Sequence, residues 1–297
     1  MYFPNPRQKR RTVTAFLLPS LIGVVVFCLV PIIVSLAYSF LDYDVLRPLS
    51  DALFVGLQNY KQLFSSDEMP KALWHTFQYI LYYMPLVMVL ALVEASLLNR
   101  AFRGNGVYRV IFYTPVITSW VAAAVVWKWL LSGKFSPINQ FFALFGITAP
   151  TWLADPNWAM FGISMAAVWK DCGYFALLFL AAMKNIDRSY YEAADIDGAR
   201  WYQKFFRITL PLISPTVFLL LVTTLIGSFQ VFDSVQVMMS GLPTQATTVM
   251  MERIYTYAFK SYQMGTAAAW SWILFLIILV FTILQFRLQK KWVNYDV

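Results

Sequence analysis

The sequence predicts an all-α membrane protein with six transmembrane helices, both termini cytoplasmic, and a cytoplasmic helix between the fourth and fifth spans. Three observations lead there. The chain is 60% hydrophobic and 13% charged, with a mean hydropathy of +0.60, whereas a soluble domain carries about 25% charge. Six apolar runs, at residues 15–40, 76–98, 108–131, 158–183, 211–239 and 265–286, each satisfy a hydrocarbon core that needs about 20 helical residues. The third observation is where Lys and Arg fall. Arg7, Lys9, Arg10 and Arg11 precede the first run, and Arg100, Arg103 and Arg109 lie around the entry to the third. Lys184, Arg188, Arg200, Lys204 and Arg207 separate the fourth from the fifth, and Arg287, Lys290 and Lys291 follow the sixth. Fifteen of the 23 basic residues thus share one side, which the positive-inside rule assigns to the cytoplasm.

Each element follows in order. The first run exceeds the roughly 7–15 apolar residues of a signal peptide and reads as a retained helix. Pro31, Pro85 and Pro115 sit inside runs, where membrane helices tolerate them. The outer segment 41–71 carries Asp42, Asp44, Asp51, Asp67 and Glu68, with room for a surface helix at 57–64. Residues 247–260 space Val249, Met250, Ile254, Tyr257 and Ala258 as a second helix lying along the outer surface.

The most polar stretch is 187–210. Ser189 followed by Glu192 is a capping-box pattern, predicting a short helix at 190–196. Gly198 suits the left-handed position that ends it, and Asp197 can cap the next. A second helix at 199–207 would turn Trp201, Phe205 and Ile208 toward the membrane underside, with Pro211 in the first turn of the fifth span. A plain solvated connection between two spans has the same local signals.

Several function classes drop out. The net charge of +8 invites a nucleic-acid reading, but the basic residues stand in short runs at span ends, where topology requires them. The expected surroundings are lipid, with no nucleic-acid partner. Cys28 and Cys172 lie in apolar runs, so neither a disulfide framework nor a thiolate metal site is expected. His75 is the one histidine, and no His-Glu-x-x-His pair or Ser-His pairing stands out. No catalytic residue, metal ligand or cofactor site is expected. A Gly-x4-Gly-Lys-Ser/Thr loop is also missing, so nothing in the chain is expected to bind ATP.

Ionisable groups inside spans point to function by default. Lys170 and Asp171 are adjacent in the fourth span, so each needs a partner on another element. Asp233 lies in the fifth, and Glu94 near the cytoplasmic end of the second reads as a helix–helix contact or a group reaching the interface. Two readings stand: ion pairs between helices, or a polar cavity lined by Trp169, Lys170, Asp171, Tyr174, Thr224, Ser228, Gln230 and Asp233. Such a lining suits sugar hydroxyls. Trp127, Lys128 and Trp129 read as an interfacial anchor.

Glu192-Ala193-Ala194 with Gly198, then Ile208-x-Leu210-Pro211, resembles the EAA motif of binding-protein-dependent ABC importer permeases. Asn99-Arg100 with Tyr108-Arg109, Trp127-Lys128-Trp129, Trp169-x3-Gly173-Tyr174 and Phe229-x2-Phe232-Asp233 resemble the carbohydrate-uptake branch, and the likeness covers nearly the whole chain. The ending Arg287-Leu-Gln-Lys-Lys-Trp resembles the MalF-like half of such permease pairs. Departures are Asp187, where the family often has Pro, and residues 240–243, where it has a Gly-Gly-Pro turn. The large extra periplasmic domain of the maltose permease is also absent.

The resemblance implies a single transmembrane permease domain over 1–297 with the coupling loop at 187–210. It makes the chain a non-catalytic subunit of an ATP-driven importer in the cell's inner (cytoplasmic) membrane, moving a sugar or oligosaccharide. It carries Glu192, Ala193, Ala194 and Gly198 over as contacts to the ATPase, and supports Lys170, Asp171, Tyr174, Thr224, Ser228 and Gln230 as substrate contacts. The implied partners are a MalG-like second permease, two copies of an ATPase subunit that holds ATP and Mg, and an extracytoplasmic solute-binding protein. Two alternatives stay open: an anionic solute such as a glycerol phosphate with Lys170 as counter-charge, and an ion-coupled secondary transporter using Asp171, Asp233 or Glu94.

Overall fold

A proline near the start of the second helix already disturbs the first span. Helix α1 (Pro6–Val24) runs through a π-helical turn (Val25–Leu29) into α2 (Val30–Tyr38). Pro31 has no N–H to continue the regular ladder, and the preceding turn widens by one residue. This is a computed structural model that describes residues 6–100, 104–133, 136–239 and 246–294, with side chains from Arg10 onward. The side chains of Arg7 and Lys9, Arg103, and the family departure at 240–243 lie outside the described residues.

Two compact units make up the chain, one formed by Met1–Ser66 with Ile254–Ile273, the other by Asp67–Arg253 with Leu274–Val297. In the first, the apolar rod Arg10–Tyr38 has none of its most hydrophobic window buried. It leads into a two-stranded antiparallel ribbon, β1 (Leu41–Asp42) and β2 (Leu53–Phe54), with Leu41 opposite Phe54. Helix α3 (Gln58–Ser65) matches the surface helix expected at 57–64. Its buried Asn59 amide donates to the carbonyls of Ser39 and Leu41, both at 2.9 Å, fixing the exit of the rod.

The second unit is built on α4 (Glu68–Leu98), α5 (Asn105–Ile117), α6 (Trp120–Leu131), the short α7 (Pro137–Ala143) and α8 (Ala159–Lys184). Then come α9 (Arg188–Ile196), α10 (Trp201–Lys204), a π-helical turn (Phe205–Thr209), α11 (Leu210–Leu212) and α12 (Ser214–Phe229). Helices α13 (Asp233–Met238), α14 (Met250–Tyr255) and α15 (Met264–Leu288) complete the chain. Helices α4 and α8 pack through small residues: Ala91 and Ala95 on one, Ala166, Ala167 and Ala176 on the other, are fully buried. Between apolar helices such residues let backbones approach, which dispersion rewards where no hydrophobic effect operates. Helix α5 crosses α8 at Gly173 so closely that a Cβ there would lie 2.1 Å from the Phe112 carbonyl oxygen.

Among the described residues, four helices are long and apolar enough to cross a membrane, or six if each of two bent pairs counts as one span. The bends correct the sequence reading. The third span, expected continuous over 108–131, breaks by 98° between α5 and α6. The fifth, expected over 211–239, bends by 67° before Ser214 and stops at Phe229. Pro215 lacks the N–H that would bond the Pro211 carbonyl, which explains the first of these two breaks in the fifth span. At the second, Gln230 and Val231 donate to Gly227 and Ser228, short-range bonds that tighten and end a helix.

Candidate functional site

The end of α12 opens a cavity. Its wall combines Tyr79 and Tyr83 from α4, Trp120 from α6, Asp171 and Phe175 from α8, and the stretch from Thr223 on α12 through the unwound residues to Asp233 and Ser234 on α13, around about 240 Å³. Tyr79 and Tyr83, one turn apart, stack with ring centroids 5.3 Å apart. The Tyr83 hydroxyl donates to Asp171 Oδ2 at 2.8 Å, which orients that carboxylate. Ser228 donates back to the Thr224 carbonyl at 2.7 Å. The Thr224 hydroxyl is buried with no partner among the described residues, an uncommon state for a buried polar atom. The lining therefore offers two carboxylates, several hydroxyls, the Gln230 amide and aromatic faces, and among the described residues it contains no Lys or Arg.

The residues anticipated as a cavity lining do not all meet. Asp171, Thr224, Ser228, Gln230 and Asp233 share this wall. Trp169 faces a different, larger and mostly apolar hollow of about 840 Å³, with Glu94, Arg100, Trp127 and Cys172. There its ring meets Trp127 edge-on at 5.8 Å. Tyr174 is half-exposed and lines neither hollow. Glu94 is buried and accepts from Cys172 Sγ at 3.3 Å, a helix–helix contact between α4 and α8.

Lys170 does not line the cavity. It is 5% exposed, and its ammonium donates to the carbonyls of Pro115 at 3.2 Å, Val116 at 3.1 Å and Thr118 at 2.9 Å. Those groups end α5, where the 98° break leaves carbonyls without helical partners and the helix dipole is negative. The same ammonium lies 5.4 Å from the Trp120 ring centroid at the start of α6. Three protons meet three carbonyls. Adjacent Lys170 and Asp171 thus serve different tasks because successive residues on a helix point about 100° apart.

Sequence reasoning did not single out Tyr79, Tyr83 or Trp120 for this wall. The available signal was a pair of tyrosines four residues apart inside a span, whose hydroxyls need partners when buried. Trp120 gave no signal, because only the break turns it inward.

At the other candidate site, α9 begins at Arg188 and its N-cap is Asp187, not Ser189: the Asp187 carboxylate accepts from the Ser189 N–H at 2.9 Å. That hydrogen bond holds the exposed carboxyl below the usual aspartate range. Gly198 has φ of +71°, and among the described residues nothing lies within 4 Å of where its Cβ would be. Asp197 does not cap the next helix; Arg200 occupies that position, and its N–H donates to Gln203 Oε1 at 2.7 Å. The expected second helix over 199–207 is instead α10 and a π-helical turn, the ladder slipping ahead of Pro211. A Lys204–Asp195 ion pair and a 2.8 Å hydrogen bond between Tyr191 and Thr209 hold the two arms of the loop together. Glu192, Ala193 and Gly198 are exposed, while Ala194 packs inside the loop. Ile196, which the motif did not single out, is 88% exposed at the tip.

Residues 72–294 match the family described as "Binding-protein-dependent transport system inner membrane component". The chain belongs to this family. It is 35% identical over 287 residues to the probable ABC transporter permease protein YesP of Bacillus subtilis (strain 168), covering 95% of this chain and 91% of that one. It is 34% identical over 282 residues to the sn-glycerol-3-phosphate transport system permease protein UgpA of Pectobacterium atrosepticum, covering 94% of each. A chain in the crystal structure of a bacterial alginate ABC transporter, in complex with an alginate pentasaccharide-bound periplasmic protein, superposes with a TM-score of 0.82 at 25% identity over 96% of both chains. This permease is accordingly a multi-pass membrane component of an ABC importer that works with a binding protein.

Proposed function

We propose that the chain is one of two permease subunits of an ATP-driven importer that carries a sugar or oligosaccharide, with six spans and both termini in the cytoplasm. The cavity where α12 unwinds carries this reading: carboxylates, hydroxyls, an amide and aromatic faces converge there, the groups that hold a polyhydroxylated solute. The exposed Glu192, Ala193 and Gly198, with Ala194 packing beneath them, form the contact to an ATPase, two copies of which bind ATP and Mg below the membrane. The chain itself performs no chemistry. A MalG-like second permease completes the pathway, and an extracytoplasmic binding protein delivers the solute.

UgpA's name favours a phosphorylated solute as the second reading. Against it stands the lining, which bears Asp171 and Asp233 and, among the described residues, no cationic side chain, while the Lys170 donors are engaged with carbonyls. Reconstitution with the cognate permease, ATPase and binding protein separates the readings. Uptake of neutral saccharides that requires ATP, and that Asp171→Asn weakens, is the expected result. Uptake confined to phosphorylated or carboxylated solutes refutes the neutral-sugar assignment. Ion-gradient uptake by the chain alone refutes the importer.

A further inference from the structure

The coupling arm meets the fifth span at Ile213 with a bend of 67°. Pro215 leaves the Pro211 carbonyl without its helical donor, and the Ser214 hydroxyl takes that place, donating to Pro211 O at 2.7 Å. The same hydroxyl, in a residue only 3% exposed, accepts the N–H of Asn294 at 2.9 Å. One buried oxygen therefore joins the bend to a residue beyond the sixth span. The contact continues up the helix. Phe218 is buried edge-on between Phe286 at 5.2 Å and Trp292 at 6.1 Å, and Gln285 Nε2 donates to the Leu221 carbonyl at 3.4 Å. Ser214, Phe218 and Leu221 follow the i, i+4, i+7 spacing of a single helix face, and their partners run antiparallel to them.

We infer that the C-terminal segment is a brace, fastening the end of the sixth span to the bend of the coupling arm so that one stroke of the arm drives the fifth and sixth spans together. Trp292 and Ser214 are positioning residues in this scheme; neither touches solute. The inference rests on the importer reading for its functional consequence, while the brace itself is a property of the chain. Without it, the arm would pull on α12 alone, through a bend that has lost a backbone hydrogen bond and can flex.

The test uses the full transporter in proteoliposomes with Trp292→Ala, Trp292→Phe and Ser214→Ala. Amide exchange over residues 216–221 is read in the same complexes. Trp292→Ala and Ser214→Ala should each speed that exchange about five-fold, and should lower the solute moved per ATP hydrolysed while complex yield and ATP hydrolysis persist. Trp292→Phe, which keeps an aromatic ring against Phe218, should restore most of both. Unchanged exchange in Trp292→Ala and Ser214→Ala overturns the brace, whatever the solute. Faster exchange with an unchanged solute-to-ATP ratio overturns its role in coupling. If no solute supports transport in the wild-type complex, the importer reading fails, and the exchange result still decides the brace.

Discussion

Replacing Lys170 with methionine removes a charge from the membrane interior, yet the structure predicts destabilisation. Methionine matches the length of the aliphatic stem and keeps the packing, so the change isolates the ammonium. What it leaves behind is the broken end of α5. The Pro115 carbonyl retains the Thr118 N–H and hydroxyl, but the carbonyls of Val116 and Thr118 lose their ammonium donor. Each buried carbonyl left unpaired costs about 1–3 kcal/mol. Relief of the buried ammonium's own desolvation offsets part of that, leaving a net loss of about 2–3 kcal/mol. A melting temperature lower by roughly 5 °C or more follows for a chain of this size. Lys170→Gln, with two amide protons for the same carbonyls, should recover part of the loss. The assay is thermal unfolding of the purified protein in detergent, alongside uptake in the reconstituted complex. A Lys170→Met protein that melts like the wild type but loses uptake of an anionic solute would refute the capping argument and make Lys170 a counter-charge.

Three further outcomes are expected. Gly173→Ala places a methyl 2.1 Å from the Phe112 carbonyl oxygen; overpacking of this kind costs about 1–3 kcal/mol, and a lower melting temperature with loosened contact between α5 and α8 should report it. Gly198→Val meets open space but must hold a φ of +71°, a strain of about 1–2 kcal/mol for a side-chain-bearing residue; uptake should fall at normal expression, while Gly198→Asn should retain more activity because asparagine tolerates this conformation. Equal uptake in both would remove the turn from the coupling argument. The Asp187 carboxyl, held low by the Ser189 N–H, stabilises the start of α9 above its unfolded pKa and ceases to do so as pH falls through its folded value. Acid-induced fraying of α9, followed by amide exchange, should therefore disappear when Asp187 is replaced by serine, which can cap the helix but does not titrate.

Much of the polar loop was legible because its signals are local. A glycine that must adopt positive φ and two short helices around it can be read from neighbouring residues, and the structure places Gly198 at +71°. The exact cap was not legible: Asp187 and Ser189 are both good N-cap residues, and the helix took the earlier. The cavity was half legible. In-span polar residues announce that a partner exists without saying where, so Asp171 and Asp233 were found while Trp169 and Tyr174, similar in type and nearby in sequence, turned elsewhere.

By itself the sequence determined that the chain lives in a membrane, where its apolar runs begin and end to within a turn at most boundaries, and which flanks carry the positive charge. These depend on composition and one-dimensional spacing, which lipid reads directly. Only the tertiary structure decided where those runs break. Pro85 lies inside α4, which continues unbroken to Leu98, whereas the spans holding Pro115 and Pro215 break and bend by 98° and 67°. At each bend a donor from elsewhere in the chain meets the exposed polar groups: the Lys170 ammonium at α5, and the Asn294 N–H acting through Ser214 at α12. A break inside a membrane persists only where the freed backbone finds such a partner, and partners 52 and 80 residues away are chosen by packing.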